Sequence, residues 1–172
     1  MSLVRKLINQ LSLYISTCSG VGYIPFAPGT FGTLFAMLIW FLIPDYLFYN
    51  ATDSHIYYQE FIYMSVITLF LTLIGIYSCS NAEKQLTHDD PKIVFDELVG
   101  YMISVLFLPK TLSITLYAFI LFRVFDIAKP FPIKQIQKLK GGLGIMIDDV
   151  VAGIFSNILL QILVLIYPNF FK

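Results

Sequence analysis

Histidine and cysteine are nearly missing from this chain, with two of each among 172 residues. Cys18 and Cys79 are too few for a disulfide framework and share no metal-ligand spacing, so they read as ordinary cysteines of apolar segments. Charge is scarce as well. Asp, Glu, Lys and Arg make up 13% of the residues and cancel to a net charge of zero. That balance leaves no basic excess for a nucleic-acid partner, and none is expected. A signal peptide is the alternative reading of the N-terminal stretch, but no A-x-A-like cleavage site follows it cleanly. A Walker-type phosphate loop is missing too, since no G-K-[ST] follows a strand.

What the chain has in excess is apolar surface. Hydrophobic residues make up 58% of it, against roughly 45–50% in soluble domains. Apolar stretches run from Phe31 through Ile43 toward Tyr49, from Phe61 to Cys79, from Val94 to Leu108, from Leu112 to Ile127 and from Val150 to Tyr167. A spanning helix needs about 20 such residues. The second and last stretches meet that best, while the third and fourth are short enough to form a tight hairpin of half-buried helices. Residues 3–17, "LVRKLINQLSLYIST", carry Arg5 and Lys6 and read as an interfacial amphipathic helix. The expected fold is an all-α integral membrane protein with about five transmembrane or half-membrane helices plus that N-terminal helix. Lysine and arginine orient it. The loop from Pro44 to Glu60 has neither, and five spans starting inside place nine of the eleven basic residues in the cytoplasm, leaving Lys110 and Lys172 outside.

With that orientation the acids gather on one side. "KIVFDELVGYMI" puts Asp96 and Glu97 at the cytoplasmic start of the third span, and "FRVFDIAKPFPI" puts Asp126 at the cytoplasmic end of the fourth. "GGLGIMIDDVVAG" puts Asp148 and Asp149 at the cytoplasmic head of the fifth. A charged side chain at mid-bilayer costs about 2.5–3.5 kcal/mol on insertion scales, so intramembrane acids are functional by default. Five carboxylates near one plane repel one another unless a cation sits among them, and an all-oxygen site suits Mg²⁺. Arg123 precedes Asp126 by three residues and Lys129 follows it by three, near one helix face; Pro130 ends that helix around Lys129. Acids for a metal beside fixed cations suit a phosphate monoester. The spacing D-x-x-x-G occurs twice, Asp96 to Gly100 and Asp149 to Gly153, with each glycine one turn from its acid on a face where helices can pack closely. In "GVGYIPFAPGTFGTL", Pro28, Gly29, Thr30, Gly32 and Thr33 open a helix whose free N–H groups and hydroxyls suit an anion.

Each acid also has a structural reading. Asp148 or Asp149, and Asp96 or Glu97, can cap a helix N-terminus, and Asp126 can be a plain salt-bridge partner of Arg123 or Lys129. Capping needs only one acid per helix. His88 reads as a solvated loop residue, and Asp89 and Asp90 as turn residues before Pro91. The basic run from Lys134 to Lys140 reads as a topology determinant touching anionic headgroups.

Those four motifs, in that order and over nearly the whole chain, resemble the phosphatidylglycerophosphatase A family of bacterial inner-membrane lipid phosphatases. Phe95 and Phe131 stand where family members tend to carry tryptophan, which keeps an aromatic ring at both places. One domain is expected over residues 1–172, with 1–18 interfacial and 20–172 a catalytic bundle; residues 1–18 and the loop 44–60 carry no family motif. The resemblance implies Mg²⁺-dependent hydrolysis of phosphatidylglycerol phosphate, at the cytoplasmic face of the inner membrane, to phosphatidylglycerol and phosphate. Asp96, Asp126, Asp149 and Lys129 are then the expected catalytic residues. Asp96, Glu97, Asp148 and Asp149 are the expected metal ligands, and Thr30, Thr33, Arg123 and Lys129 the substrate contacts. Water and a carboxylate such as Asp126 both remain open as the attacking group, and so does homo-oligomerisation. Other phosphatase chemistries are excluded by inspection. Ile24 and Gln85 stand where a C-x₅-R thiol loop needs arginine, no D-x-D is present, and His55 with His88 poorly supplies a two-histidine core. The alternatives are a phosphatase of the same fold acting on a different lipid phosphate, or a small ion or proton transporter; the latter predicts carboxylates near mid-span.

Overall fold

Two long helices carry the stretches that the sequence marks most strongly as apolar. In a computed structural model, which describes residues 3–44, 54–87, 90–167 and 169 and the side chains of all of these but 54–61, every described element is helical. They are α1 (Leu3–Ser16), a single 3₁₀ turn at Val21–Tyr23, α2 (Pro28–Leu42), α3 (Ser54–Glu83), α4 (Phe95–Ser104), α5 (Leu112–Ala128), the one-turn α6 (Ile133–Ile136) and α7 (Gly142–Ile166). His88 and Asp89 lie outside the described residues, as do the end of the first apolar stretch beyond Pro44 and Lys172.

Two described helices, α3 from Ile62 and α7, are long and apolar enough to cross a membrane. Only 22% and 33% of their most apolar windows is buried inside the protein, and Ile62, Tyr63, Val66, Phe70 and Leu73 of α3 are exposed. A core helix of a soluble protein would hide such a surface; one left open marks contact with a partner or a lipid phase. The other three of the five expected transmembrane or half-membrane helices are shorter. At 1.5 Å per residue α2 and α5 reach about 22 and 25 Å and α4 about 15 Å, short of the roughly 30 Å of a hydrocarbon core.

A helix as short as α4 can end inside the bundle only if its last carbonyls find donors. Asn157 of α7 supplies them, its amide donating to the carbonyls of Ser104 at 3.1 Å and Leu106 at 2.7 Å, while its own carbonyl accepts from Gln161 at 2.6 Å. Lys110 does the same for α2, donating to the carbonyls of Phe41 and Ile43. At the opposite end Gly142 N–H donates to Ser80 Oγ at 2.8 Å, so α3 caps the start of α7.

The most extensive helix contact joins α4 to α7. A Cβ on Gly153 would strike the Gly100 carbonyl, and one on Gly100 would lie 2.7 Å from the Asp149 carbonyl and 2.5 Å from the Phe122 ring. The two D-x-x-x-G segments therefore touch backbone to backbone. Asp96 with Asp149, Gly100 with Gly153 and Ser104 with Asn157 all pair at one offset, so the helices run parallel and in register. Tyr101, Phe122, Ile114, Ile133, Met146 and Leu160 are fully buried in the core around this pair. Alongside, α1 packs on α3 with Ser12 and Ser16 buried and with Leu3, Val4, Leu7, Leu11 and Tyr14 exposed on its apolar side.

If the glycine contact sets the helix spacing, Gly153→Val overpacks it by about 1–3 kcal/mol and lowers the melting temperature in detergent by about 2–12 °C. Leu165→Ala, at a position 80% exposed, shifts it by no more than about 2 °C. Equal shifts in the two variants would contradict the assignment.

Candidate active site

Helices α2, α4, α5 and α7 bring residues to the same end of the bundle. The first turn of α4 carries Asp96 and Glu97. Asp126 and Arg123 come from the last turns of α5, whose cap is Lys129 in the left-handed conformation, φ 40°. Pro130 cannot continue the helix, and this turn sends the lysine toward α7. Asp148 and Asp149 sit about two turns inside α7, which starts at Gly142 and has no acid in its first turn. Capping is thereby ruled out for them, and the expected start of the last span at Val150 is corrected. Gly142 and Gly144 belong to the helix and let α7 approach the carbonyls of Ile76 and Leu139.

These groups line a cavity of about 350 Å³ together with Ala27, Pro28 and Gly29 at the start of α2 and Asp90, Pro91 and Ile93 of the loop before α4. Asp96, Asp126, Asp148 and Asp149 are each at most 9% exposed. Buried charges need partners, and the cavity provides two. Arg123 Nη1 donates to Asp126 Oδ2 at 2.6 Å and lies 3.9 Å from Glu97 Oε1. Lys129 Nζ donates to Asp148 Oδ2 at 2.5 Å. The sequence placed Lys129 beside Asp126; the fold gives it to Asp148 instead.

Asp96, Glu97 and Asp149 are left as a group whose ligand oxygens all lie within 4.8 Å of one another. Asp96 Oδ1, Glu97 Oε2, Asp148 Oδ1 and Arg123 Nε are buried with no hydrogen-bond partner. Orphaned buried carboxylate oxygens are strongly unfavourable unless a cation completes them. An oxygen-only donor set matches a hard divalent ion such as Mg²⁺; among the residues expected as metal ligands, Asp148 alone falls outside that group.

The threonines are placed differently from expectation. Thr30 and Thr33 are not among the residues lining the cavity. Thr33 is fully buried, its hydroxyl donating to the Gly29 carbonyl at 2.9 Å and lying 3.5 Å from Arg123 Nη1. The part of the motif that reaches the wall is Gly29, where a Cβ would run into Glu97 Oε1 and sit 3.4 Å from Arg123 Nη1. Sequence reasoning also missed Asp90 as a wall residue. Its turn role is real: Asp90 Oδ1 accepts from Lys92 N–H at 3.0 Å and Oδ2 from the Thr87 hydroxyl at 3.2 Å. Burial pushes the Asp90 carboxyl up, but those bonds and the Lys92 charge outweigh it and hold it below its ordinary value of 3.8. Only the H-D-D-P context hinted at it.

Fold and cavity together define a helical protein with two apolar, membrane-length helices and a carboxylate centre flanked by fixed cations. The sequence profile described as phosphatidylglycerophosphatase A matches residues 14–164, and the chain belongs to that family, a family of phosphatases. A phosphatidylglycerophosphatase A of Haemophilus influenzae is 36% identical over 156 residues, covering 89% of this chain and 88% of the relative. One of Escherichia coli K12 is 34% identical over 140 residues, covering 80% and 74%. A Bacteroides thetaiotaomicron protein named "Putative phosphatidylinositol-3-phosphatase" is 36% identical over 159 residues, covering 88% and 92%. No solved structure matches the chain.

Lys129 gives a pH test. Burial lowers its pKa, but the hydrogen bond and charge of Asp148, with Asp149 and Asp126, outweigh that and raise it above 10.5. A raised folded value means that the stability from this pair is complete below the unfolded lysine pKa and is lost as pH rises through the folded one. The melting-temperature difference between wild type and Lys129→Met should stay constant from pH 6 to 9 and shrink at the alkaline end. An inflection near neutrality would contradict the charged pair.

Proposed function

We propose that the protein hydrolyses phosphatidylglycerol phosphate to phosphatidylglycerol and inorganic phosphate, with Mg²⁺, at the cytoplasmic leaflet of the bacterial inner membrane. The observation that carries this reading is the set of unpartnered buried oxygens on Asp96 and Glu97, gathered with Asp149 beside Arg123 and Lys129 in one cavity. Family membership and the relatives' names support the substrate.

Asp96, Glu97 and Asp149 would hold the ion, which when bound supplies Lewis acidity toward phosphoryl oxygens. Arg123 and Lys129 offset the charge that develops on the other oxygens, and as preorganised groups in a desolvated wall they need little rearrangement to do so. Gly29 leaves room for the phosphoryl group to approach the start of α2. In the reaction a P–O bond forms to the attacking oxygen, the bond to the lipid glycerol oxygen breaks, and that oxygen takes up a proton. Asp126, fixed by Arg123, accepts the proton of an attacking water in one route; in the other it is itself the nucleophile, and water then cleaves the aspartyl phosphate to release inorganic phosphate and restore the carboxylate. Phe26 and Phe131, 79% and 77% exposed, are apolar residues next to wall residue Ala27 and near wall residue Lys129 in sequence. They suit a site where a phosphate enters and acyl chains stay in the bilayer.

The name of the Bacteroides relative favours a second reading, in which the same chemistry acts on a different lipid headgroup. Phosphate release in detergent should be rapid with phosphatidylglycerol phosphate and Mg²⁺, fall to background with EDTA, and drop about 100-fold or more in Asp96→Asn and in Asp149→Asn. Faster release from another lipid phosphate in a panel would move the assignment to that headgroup. Full activity in both variants would remove these acids from the site.

A further inference from the structure

Five helix-borne carboxylates are enough to bind two divalent ions, which in paired-ion phosphoryl-transfer sites stand about 3.5–4 Å apart between shared ligands. The pairings in this cavity divide the five unequally. Asp126 is engaged by Arg123 at 2.6 Å and Asp148 by Lys129 at 2.5 Å. Asp96, Glu97 and Asp149 have no lysine or arginine closer than the 3.9 Å contact of Glu97 with Arg123 among the ion pairs of the cavity. Asp96 is 9% exposed and its buried Oδ1 has no hydrogen-bond partner, a carboxylate oxygen that a cation would satisfy.

We infer that the centre takes one divalent ion, held by Asp96, Glu97 and Asp149, and that the Lys129 ammonium, seated on Asp148, stands where a second ion would otherwise bind. The inference rests on the reading that these three residues hold a divalent cation, and adds how many ions the centre takes and what Lys129 does there. A lysine ammonium is a compact point charge, and it repels a dication brought to the same carboxylate. Lys129 is tethered at the cap of α5, where its backbone turns at φ 40° ahead of Pro130, so this cation cannot dissociate. One positive centre of the site is then exchangeable and the others are built in. A chelator can remove only the first.

Mn²⁺ is a suitable probe, counted by elemental analysis after equilibrium dialysis of the full chain in detergent and examined by electron paramagnetic resonance. The wild type should bind one Mn²⁺ per chain with the six-line spectrum of an isolated ion. Glu97→Gln and Asp149→Asn should each weaken binding about 10-fold or more, while Asp148→Asn keeps the single ion. Lys129→Ala should admit a second Mn²⁺ and give a spin-coupled spectrum. Two coupled ions in the wild type, no bound ion at millimolar Mn²⁺, loss of the ion in Asp148→Asn, or a Lys129→Ala variant that stays at one ion would each overturn the inference. Size-exclusion profiles identify any variant that fails to fold, and Glu97→Gln decides the ligand set if Asp149→Asn does. None of these readouts uses turnover. A wild type that binds one Mn²⁺ but releases no phosphate from any lipid retires the enzymatic reading alone, and an active enzyme with two ions retires this inference alone.

Discussion

The contact of two glycines, Gly100 in α4 and Gly153 in α7, is the constraint from which the site follows. Without a Cβ on either, the helices approach until the Gly100 carbonyl lies where a Gly153 side chain would be. Parallel packing at that distance carries every residue one turn earlier into the same proximity. One turn before the glycines stand Asp96 and Asp149, and their oxygens, with one from Glu97, converge within 4.8 Å. A larger residue at the crossing would push the two helices, and with them the acids, apart. One turn beyond, Asn157 closes the end of α4, so one register relation serves the acids, the crossing and the helix terminus.

Close packing of acids is unfavourable by itself, and the remainder of the site offsets it. Arg123 and Lys129 each take one carboxylate, from α5 and from α7. The three that remain would repel one another in a buried site, where charges interact more strongly than in water. This places the functional tension of the molecule at a location the fold does not relieve. The same features that make the centre unfavourable alone are the ones that the proposed cation and phosphate would offset.

The short helices have a related logic. α2, α4 and α5 are too short to cross a hydrocarbon core unaided; the far ends of α2 and α4 are closed by Lys110 and Asn157, and that of α5 by its Thr111 cap. The long helices α3 and α7 supply the apolar exterior, and Ser80 of α3 fixes where α7 begins. A polar cavity can thus be built at one end of a bundle whose outer surface remains apolar.

Much of this was legible in the residues. Apolar run length marked α3 and α7, the D-x-x-x-G spacing marked two helix faces able to meet, and the five acids with Arg123 and Lys129 were all identified as site residues. They depend on composition and on local helical geometry, which are properties of consecutive residues. Tertiary structure decided the rest. Spacing of three residues placed Arg123 and Lys129 equally near Asp126, but the left-handed cap at Lys129 turns one of them away to Asp148. Thr30 and Thr33 looked like ligands because hydroxyls near a helix start suit anions, yet the approach of α4 and α5 brings Gly29 to the wall and buries Thr33 behind it. Asp90 reached the cavity through a loop with no periodicity to announce it. A chain specifies which groups share a face through its own repeat; which group on that face meets which partner depends on the distance and angle between helices, and those are set only when the whole bundle packs.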